Sequence, residues 1–256
     1  MTDPHWRLLL TGPRPGAWNM ACDAAVLAAV GRGIAPPTLR FYEWSPPAVS
    51  LGRHQPEPDP RAAAVLAARG IAWVRRSTGG RAVYHGPAGE ELTYSIVAPI
   101  GTPLLDGGRS ESCRRIHGAF IDGLGRLGIE ASLAPAVRRT AAAIRPASRL
   151  ACFAASVPYE ITAGGRKLMG SAQRRTRHAF LQHGSLPLAG DQRVLGDAWP
   201  GSLRPDRWTT VASETGRTPD FQTVAEALAD SISRAVNARL VPGVLTPAEN
   251  DEIGAA

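Results

Sequence analysis

Strand-like and helix-like segments follow one another along this chain without a regular strand–helix–strand rhythm, and that order limits its fold more than any other feature. Short β-rich runs bounded by Gly or Pro occur at 6–10, 38–44 and 48–51, then at 71–74, 82–84 and 92–98, and again at 159–162, 167–172 and 180–188. Helical patterns interrupt them irregularly. An alanine-rich segment at 19–30 is stopped by Gly31 and Gly33, and Asp59-Pro60 supplies a cap and a first-turn proline for a helix through Arg69. A third helix at 110–127 carries the apolar face Ile116, Phe120, Leu124 and Leu127. A last one at 223–240 opens on the capping-box pattern Thr223-Val-Ala-Glu226. Irregular alternation of this kind predicts an α+β fold: a mixed, largely antiparallel sheet with flanking helices.

At 256 residues the chain is long enough to bury a core without disulfide or metal staples, and no Gly/Ser linker or internal repeat divides it. Residues 1–30 lack a basic start followed by an apolar core, and no run of about 18 apolar residues occurs, so neither a signal peptide nor a membrane span is expected. Three cysteines, Cys22, Cys113 and Cys152, cannot all pair and show no CxxC spacing. This points to a reduced, cytoplasmic protein without structural zinc. The histidines show no HExxH or paired spacing, so no metal site is expected. The net charge of +7 is carried by arginine, since Lys167 is the sole lysine. Such a balance suits phosphate or carboxylate recognition and equally suits a GC-rich genome. Residues 134–149, with Arg138, Arg139, Arg145 and Arg149 among alanines and prolines, read as a mobile basic loop.

Four segments could carry chemistry, and each also has a plain structural reading. In Arg75, Arg76, Ser77, Thr78, Gly79, Gly80 and Arg81, paired glycines allow close backbone approach to a ligand and the arginines add fixed donors; the alternative is a basic hairpin turn. Lys167 stands at the start of an apolar strand before Gly170, Ser171 and Ala172, where an ammonium could meet a carbonyl or phosphate or simply face solvent. His183, followed by Gly184, is a ligand-site histidine or a satisfied core one. Cys152 follows the basic loop and is either a buried hydrophobe or an activated thiolate nucleophile.

Seven motifs in one order, 19–23, 38–44, 49–53, 75–85, 92–95, 167–174 and 181–186, resemble the family of lipoate-protein ligases, octanoyltransferases and biotin-protein ligases, in its lipoate/octanoate branch. The resemblance covers residues 6–250. It implies one catalytic domain over 1–256, with a core at 6–240 and a C-terminal tail at 241–256, folded around an acyl-binding tunnel. It further implies that Arg75, Arg76, Ser77, Thr78, Gly79, Gly80 and His85 line the acyl pocket, that Lys167 contacts the activated carbonyl, that Gly170, Ser171 and Ala172 form the pocket wall, and that His183 and Gly184 close it. In that branch an acidic residue follows the histidine directly, whereas here Gly86-Pro87-Ala88-Gly89 intervenes before Glu90.

Cys152 within Ala151-Cys152-Phe153 is similar to the cysteine of octanoyltransferases that take octanoyl from acyl carrier protein as a thioester and pass it to a lysine of a lipoyl domain or glycine-cleavage H protein. The resemblance therefore implies Cys152 and Lys167 as catalytic residues and no cofactor, and a cytoplasmic monomer that does not act at a membrane is expected. An ATP- and Mg²⁺-dependent lipoate-protein ligase and an octanoyl/lipoyl amidotransferase are the enzymatic alternatives, and a carrier-protein binder without activity is a further one. Nucleic acid is not an expected partner, because aromatic residues make up only 6% of the chain and are not interleaved with arginine.

Overall fold

The computed structural model of the chain describes residues 5–103, 106–135 and 159–255. From β1 (His5–Arg14) the chain enters α1 (Gly16–Gly31), then β2 (Thr38–Trp44), β3 (Ala48–Leu51), α2 (Pro60–Ala67), β4 (Ala72–Arg75), β5 (Val83–His85) and β6 (Glu91–Pro99). Helix α3 (Arg109–Arg126) precedes β7 (Ala131–Leu133), β8 (Ile161–Ala163), β9 (Arg166–Arg175) and β10 (Ala179–Pro187). Two short helices, α4 (Arg193–Ala198) and α5 (Val211–Thr215), lead to α6 (Phe221–Val236), β11 (Arg239–Pro242) and α7 (Pro247–Gly254).

Eight strands form one sheet in the order β11-β1-β2-β6-β10-β9-β8-β7, and β4-β3-β5 form a second. In the large sheet β1 runs parallel to both of its neighbours, and the remaining pairings are antiparallel. The α+β architecture expected from the irregular element order is therefore the one observed.

The two-residue period of a strand sorts β6 and β10 between two cores. Leu92, Tyr94, Ile96 and Ala98 of β6, with Phe180 and Leu186 of β10, pack on one side against Ile116, Phe120 and Leu124 of α3 and Leu228 and Ile232 of α6. Val97 and Leu181 point the other way, into a core with Cys22, Ala25, Val26 and Val30 of α1. Helices α2 and α4 cover the small sheet through Leu66 and Leu195. Gly123 lets α3 and α6 approach closely: a Cβ there would stand 2.8 Å from the Ala227 carbonyl oxygen.

Element starts follow local chemistry where caps are strong. Asp59 accepts from the Ala62 amide at 2.9 Å and Pro60 begins α2, as read from the sequence. The start of α6 corrects the sequence reading. Its cap is Asp220, which accepts from the Thr223 amide at 3.0 Å, and Glu226 instead accepts from Gln222. The helix also ends earlier than residue 240, at Val236, because Asn237 takes a left-handed conformation (φ 48°) and turns the chain into β11.

The segment read as a C-terminal tail is likewise structured. It completes β11 and forms α7, whose capping box joins Thr246 and Glu249. Glu249 also takes both terminal nitrogens of Arg7 from β1, at 2.8 and 2.6 Å, in a buried pair. Cys152 and nearly all of the 134–149 basic stretch lie outside the described residues.

Candidate acyl-binding site

Where β9 and β10 face the small sheet, a narrow cavity opens between the two sheets. Its walls include Met20 of α1, Tyr42 and Trp44 of β2, Arg76, Gly80 and Val83 of the glycine loop and its exit, Gly170, Ser171 and Ala172 of β9, and His183 and Gly184 of β10. Gly184 is required there, because a Cβ would meet Ser171 Oγ at 2.5 Å and the Gly170 carbonyl oxygen at 2.6 Å.

Two buried histidines line this cavity, and each is held at both ring nitrogens. His85 Nδ1 donates to Glu91 Oε1 at 2.7 Å, its Nε2 pairs with Ser50 Oγ at 2.8 Å, and its ring stacks on Trp44 at 3.8 Å between centroids. The acidic partner of this histidine is thus Glu91. The inserted Gly86–Gly89 segment folds as a turn, with the Glu90 amide on the Pro87 carbonyl, and brings Glu91 at the start of β6 back to His85 at the end of β5. His183 Nδ1 donates to Asp23 Oδ2 at 2.8 Å, and its Nε2 pairs with Thr78 Oγ1 at 2.6 Å.

Asp23 is the hub of a buried polar cluster, accepting from Arg40 at 2.7 Å and from the Tyr42 hydroxyl at 3.0 Å. Burial alone would raise its carboxyl, but the His183 hydrogen bond and the Arg40 charge outweigh it and hold the group below the usual carboxylate range. Burial also pushes the Tyr42 hydroxyl well up, so it remains a donor. The motif 19–23 therefore serves the site from α1: Asn19 accepts from Arg40 and donates to the Arg14 and Glu43 carbonyls.

Arg76 and Arg75 work on the backbone. Arg76 donates to the carbonyl oxygens of Ser50, Gly79 and Arg81 at 2.8, 2.9 and 2.7 Å, clamping the glycine loop around its guanidinium. Arg75 turns away from the cavity and donates to the Gln55 carbonyl at 2.6 Å. Ser77 and Gly79 line an adjoining cleft rather than the narrow cavity, and Thr78 stands behind His183.

Lys167 is also placed off the cavity lining. Its Nζ donates to Glu160 Oε1 at 2.6 Å, with both side chains almost wholly buried. The Glu160 carboxylate fixes the direction of the Lys167 side chain.

A third histidine, His117 of α3, was not singled out by the sequence reading. It sits on the apolar stripe between Ile116 and Phe120, and its burial, with the Lys167 charge nearby, pushes its pKa down to about 4. The neutral ring donates from Nδ1 to the Tyr159 carbonyl at 2.6 Å, so Nε2 accepts from Ser171 Oγ at 2.9 Å. Tyr94 then donates to Ser171 Oγ at 2.8 Å, Gln182 to the Tyr94 hydroxyl at 2.7 Å, and Gln173 to Gln182 at 2.6 Å. This chain fixes the Ser171 hydroxyl on the cavity wall. The periodicity of α3 places position 117 on its buried face, which is the one signal in the sequence for it.

Cys22 and Cys113 are poor nucleophiles, since burial pushes both thiols up to about 12. Among the described residues no group of three or more His, Cys, Asp or Glu side chains is arranged to hold a metal ion. No helix among them is long and apolar enough to cross a membrane.

The two-sheet fold, with a glycine loop and paired histidines around a narrow cavity, defines a class of ligand-binding catalytic domain. Residues 15–233 match the lipoyl protein ligase A/B catalytic domain, and the chain belongs to that family. An octanoyltransferase LipM of Symbiobacterium thermophilum is 40% identical over 98% of this chain and 93% of its own length. A second, from Moorella thermoacetica, is 38% identical over 97% and 92%. Among solved structures, a lipoate-protein ligase A bound with ATP superposes with a TM-score of 0.77 at 25% identity, covering 98% of this chain and 93% of that one. The fold is shared also by a bipartite lipoate protein ligase from Thermoplasma acidophilum, with a TM-score of 0.73 at 22% identity over 98% and 91% of the two chains.

Proposed function

We propose that the protein is an octanoyltransferase of lipoate biosynthesis, moving octanoyl from acyl carrier protein through a Cys152 thioester to a lysine of a lipoyl domain or H protein. The observation that carries this reading is the narrow cavity walled by Met20, Tyr42, Trp44 and Val83, in a chain whose near-full-length relatives are octanoyltransferases. An octanoyl chain has six methylenes and a methyl group, and burying each contributes about 0.8 kcal/mol, so an apolar slot alone supplies on the order of 5 kcal/mol of acyl recognition.

The chemistry balances without an energy source. The Cys152 thiolate attacks the donor thioester carbonyl, and the carrier thiolate leaves and takes up the proton that Cys152 gave. The acceptor lysine, as free amine, then attacks the enzyme thioester; an amide forms, the Cys152 sulfur leaves, and the proton lost by the amine returns to it. By likeness to the family Lys167 is the cation for negative charge developing on the carbonyl oxygen, although here its Nζ is engaged by Glu160 off the cavity lining. His85 and His183, each held at both nitrogens, serve as walls of the acyl site, and with both rings so engaged neither is assigned the proton transfers.

Mass spectrometry after incubation with octanoyl carrier protein tests the covalent step. A mass increase of one octanoyl group is expected on the wild-type protein, localised to Cys152, and on a Cys22→Ala/Cys113→Ala variant, but not on Cys152→Ala. Full transfer by Cys152→Ala would refute the thioester route.

A further inference from the structure

Next to the acyl cavity lies a second and wider cleft, and the two share Gly80, Ser171 and Ala172 as a common wall. Its lining contains Arg53, Arg109, Arg174 and Arg175 together with His54, and no Asp or Glu among the described residues. Arg53, Arg109 and Arg174 make no ion pair with any carboxylate among the described residues, although the arginines at 114, 115, 166, 193 and 204 all do. Three guanidinium groups, those of Arg53, Arg109 and Arg174, gathered around one concavity without an ion-pair partner among the described residues repel one another, and an anion in the cleft would relieve that cost.

The reaction assigned above limits what that anion is. With the acyl chain in the narrow cavity, the thiol that carries it leaves through the mouth, and the shared wall at Gly80, Ser171 and Ala172 opens onto the arginine cleft. We propose that this cleft binds the phosphate of the pantetheine arm on the thioester donor. The inference rests on the octanoyltransferase reading and adds a recognition site for the leaving group. A phosphate ester is matched by arginine forks, each able to give two parallel hydrogen bonds. The other source of phosphate with the same chemistry is a nucleotide, and the experiment separates the two.

Octanoyl-pantetheine and octanoyl-4′-phosphopantetheine, neither attached to a carrier, are compared as donors to an apo lipoyl domain, without ATP. Wild-type protein is expected to favour the phosphorylated donor in kcat/KM by at least about tenfold. The Arg53→Ala/Arg109→Ala variant, altered at two exposed positions, is expected to lose most of that ratio, and Arg53→Lys/Arg109→Lys to keep part of it. Equal use of both donors by the wild type, or an equal fall for both in the alanine variant, overturns the phosphate site while leaving the transfer reaction intact. Acylation that appears only with ATP, Mg²⁺ and free octanoate overturns both, and assigns the cleft to the nucleotide.

Discussion

His117 stands where the α3 helix meets the wall of the acyl cavity, and its ring is neutral because burial forbids its charge. Its pKa lies at about 4 in the folded protein against the usual 6.5, so the unfolded chain binds more protons between those values. The ring's contribution to stability is therefore complete above pH 6.5 and is lost as pH falls toward 4, reaching about 3 kcal/mol. A His117→Gln variant can neither take up that proton nor report it. Urea unfolding at a series of pH values is expected to show a slope between pH 6.5 and 4 that is smaller in the variant by about this amount; identical slopes would place the charge elsewhere. At this scale the sequence was informative about glycine and histidine and less so about arginine. The demand for a bare backbone at Gly184 and the pairing of His183 with Gly184 are local. The turning of Arg76 onto three carbonyl oxygens depends on where the loop closes in space. Glu91 and Glu160 went unassigned because the partners they meet, His85 and Lys167, are reached only through strand register.

At the scale of elements, α7 is held to β1 by the buried pair between Arg7 and Glu249, with Thr38 and the Val244 carbonyl also accepting from the guanidinium. Removing one partner leaves a buried charge without compensation, which costs about 3–5 kcal/mol. Glu249→Ala is therefore expected to lower thermal stability by roughly 6–20 °C, read by calorimetry. A shift of only a degree or two would mean that water replaces the carboxylate. This helix was read as tail because its apolar content is slight, with Ile253 its one large buried side chain, and because its main attachment is an ion pair some 240 residues distant in sequence. By contrast α2 and α3 were legible from the cap at Asp59 and the stripe Ile116, Phe120 and Leu124, which are local signals. The end of α6 was misplaced because Leu240 continues the helical spacing of apolar residues, whereas Asn237 breaks the backbone three positions earlier.

For the molecule as a whole, two sheets meeting at a narrow cavity place the glycine loop, α1 and the β9–β10 hairpin around one shared space. The surplus of basic side chains now has a local meaning, since part of it is concentrated in the cleft beside that space. The order of elements was enough to reach the fold class, because antiparallel pairing of neighbours in sequence leaves few arrangements. It could not reach the cleft, whose arginines come from the loop after β3, the start of α3 and the end of β9. The central claim is that acyl transfer runs from thioester to amide with no nucleotide, and one measurement meets it directly. The protein is incubated with octanoyl carrier protein and an apo lipoyl domain in the absence of ATP, and the lipoyl domain is weighed. A gain of one octanoyl group is the result expected; an unchanged mass that rises only when ATP, Mg²⁺ and free octanoate are supplied would contradict it.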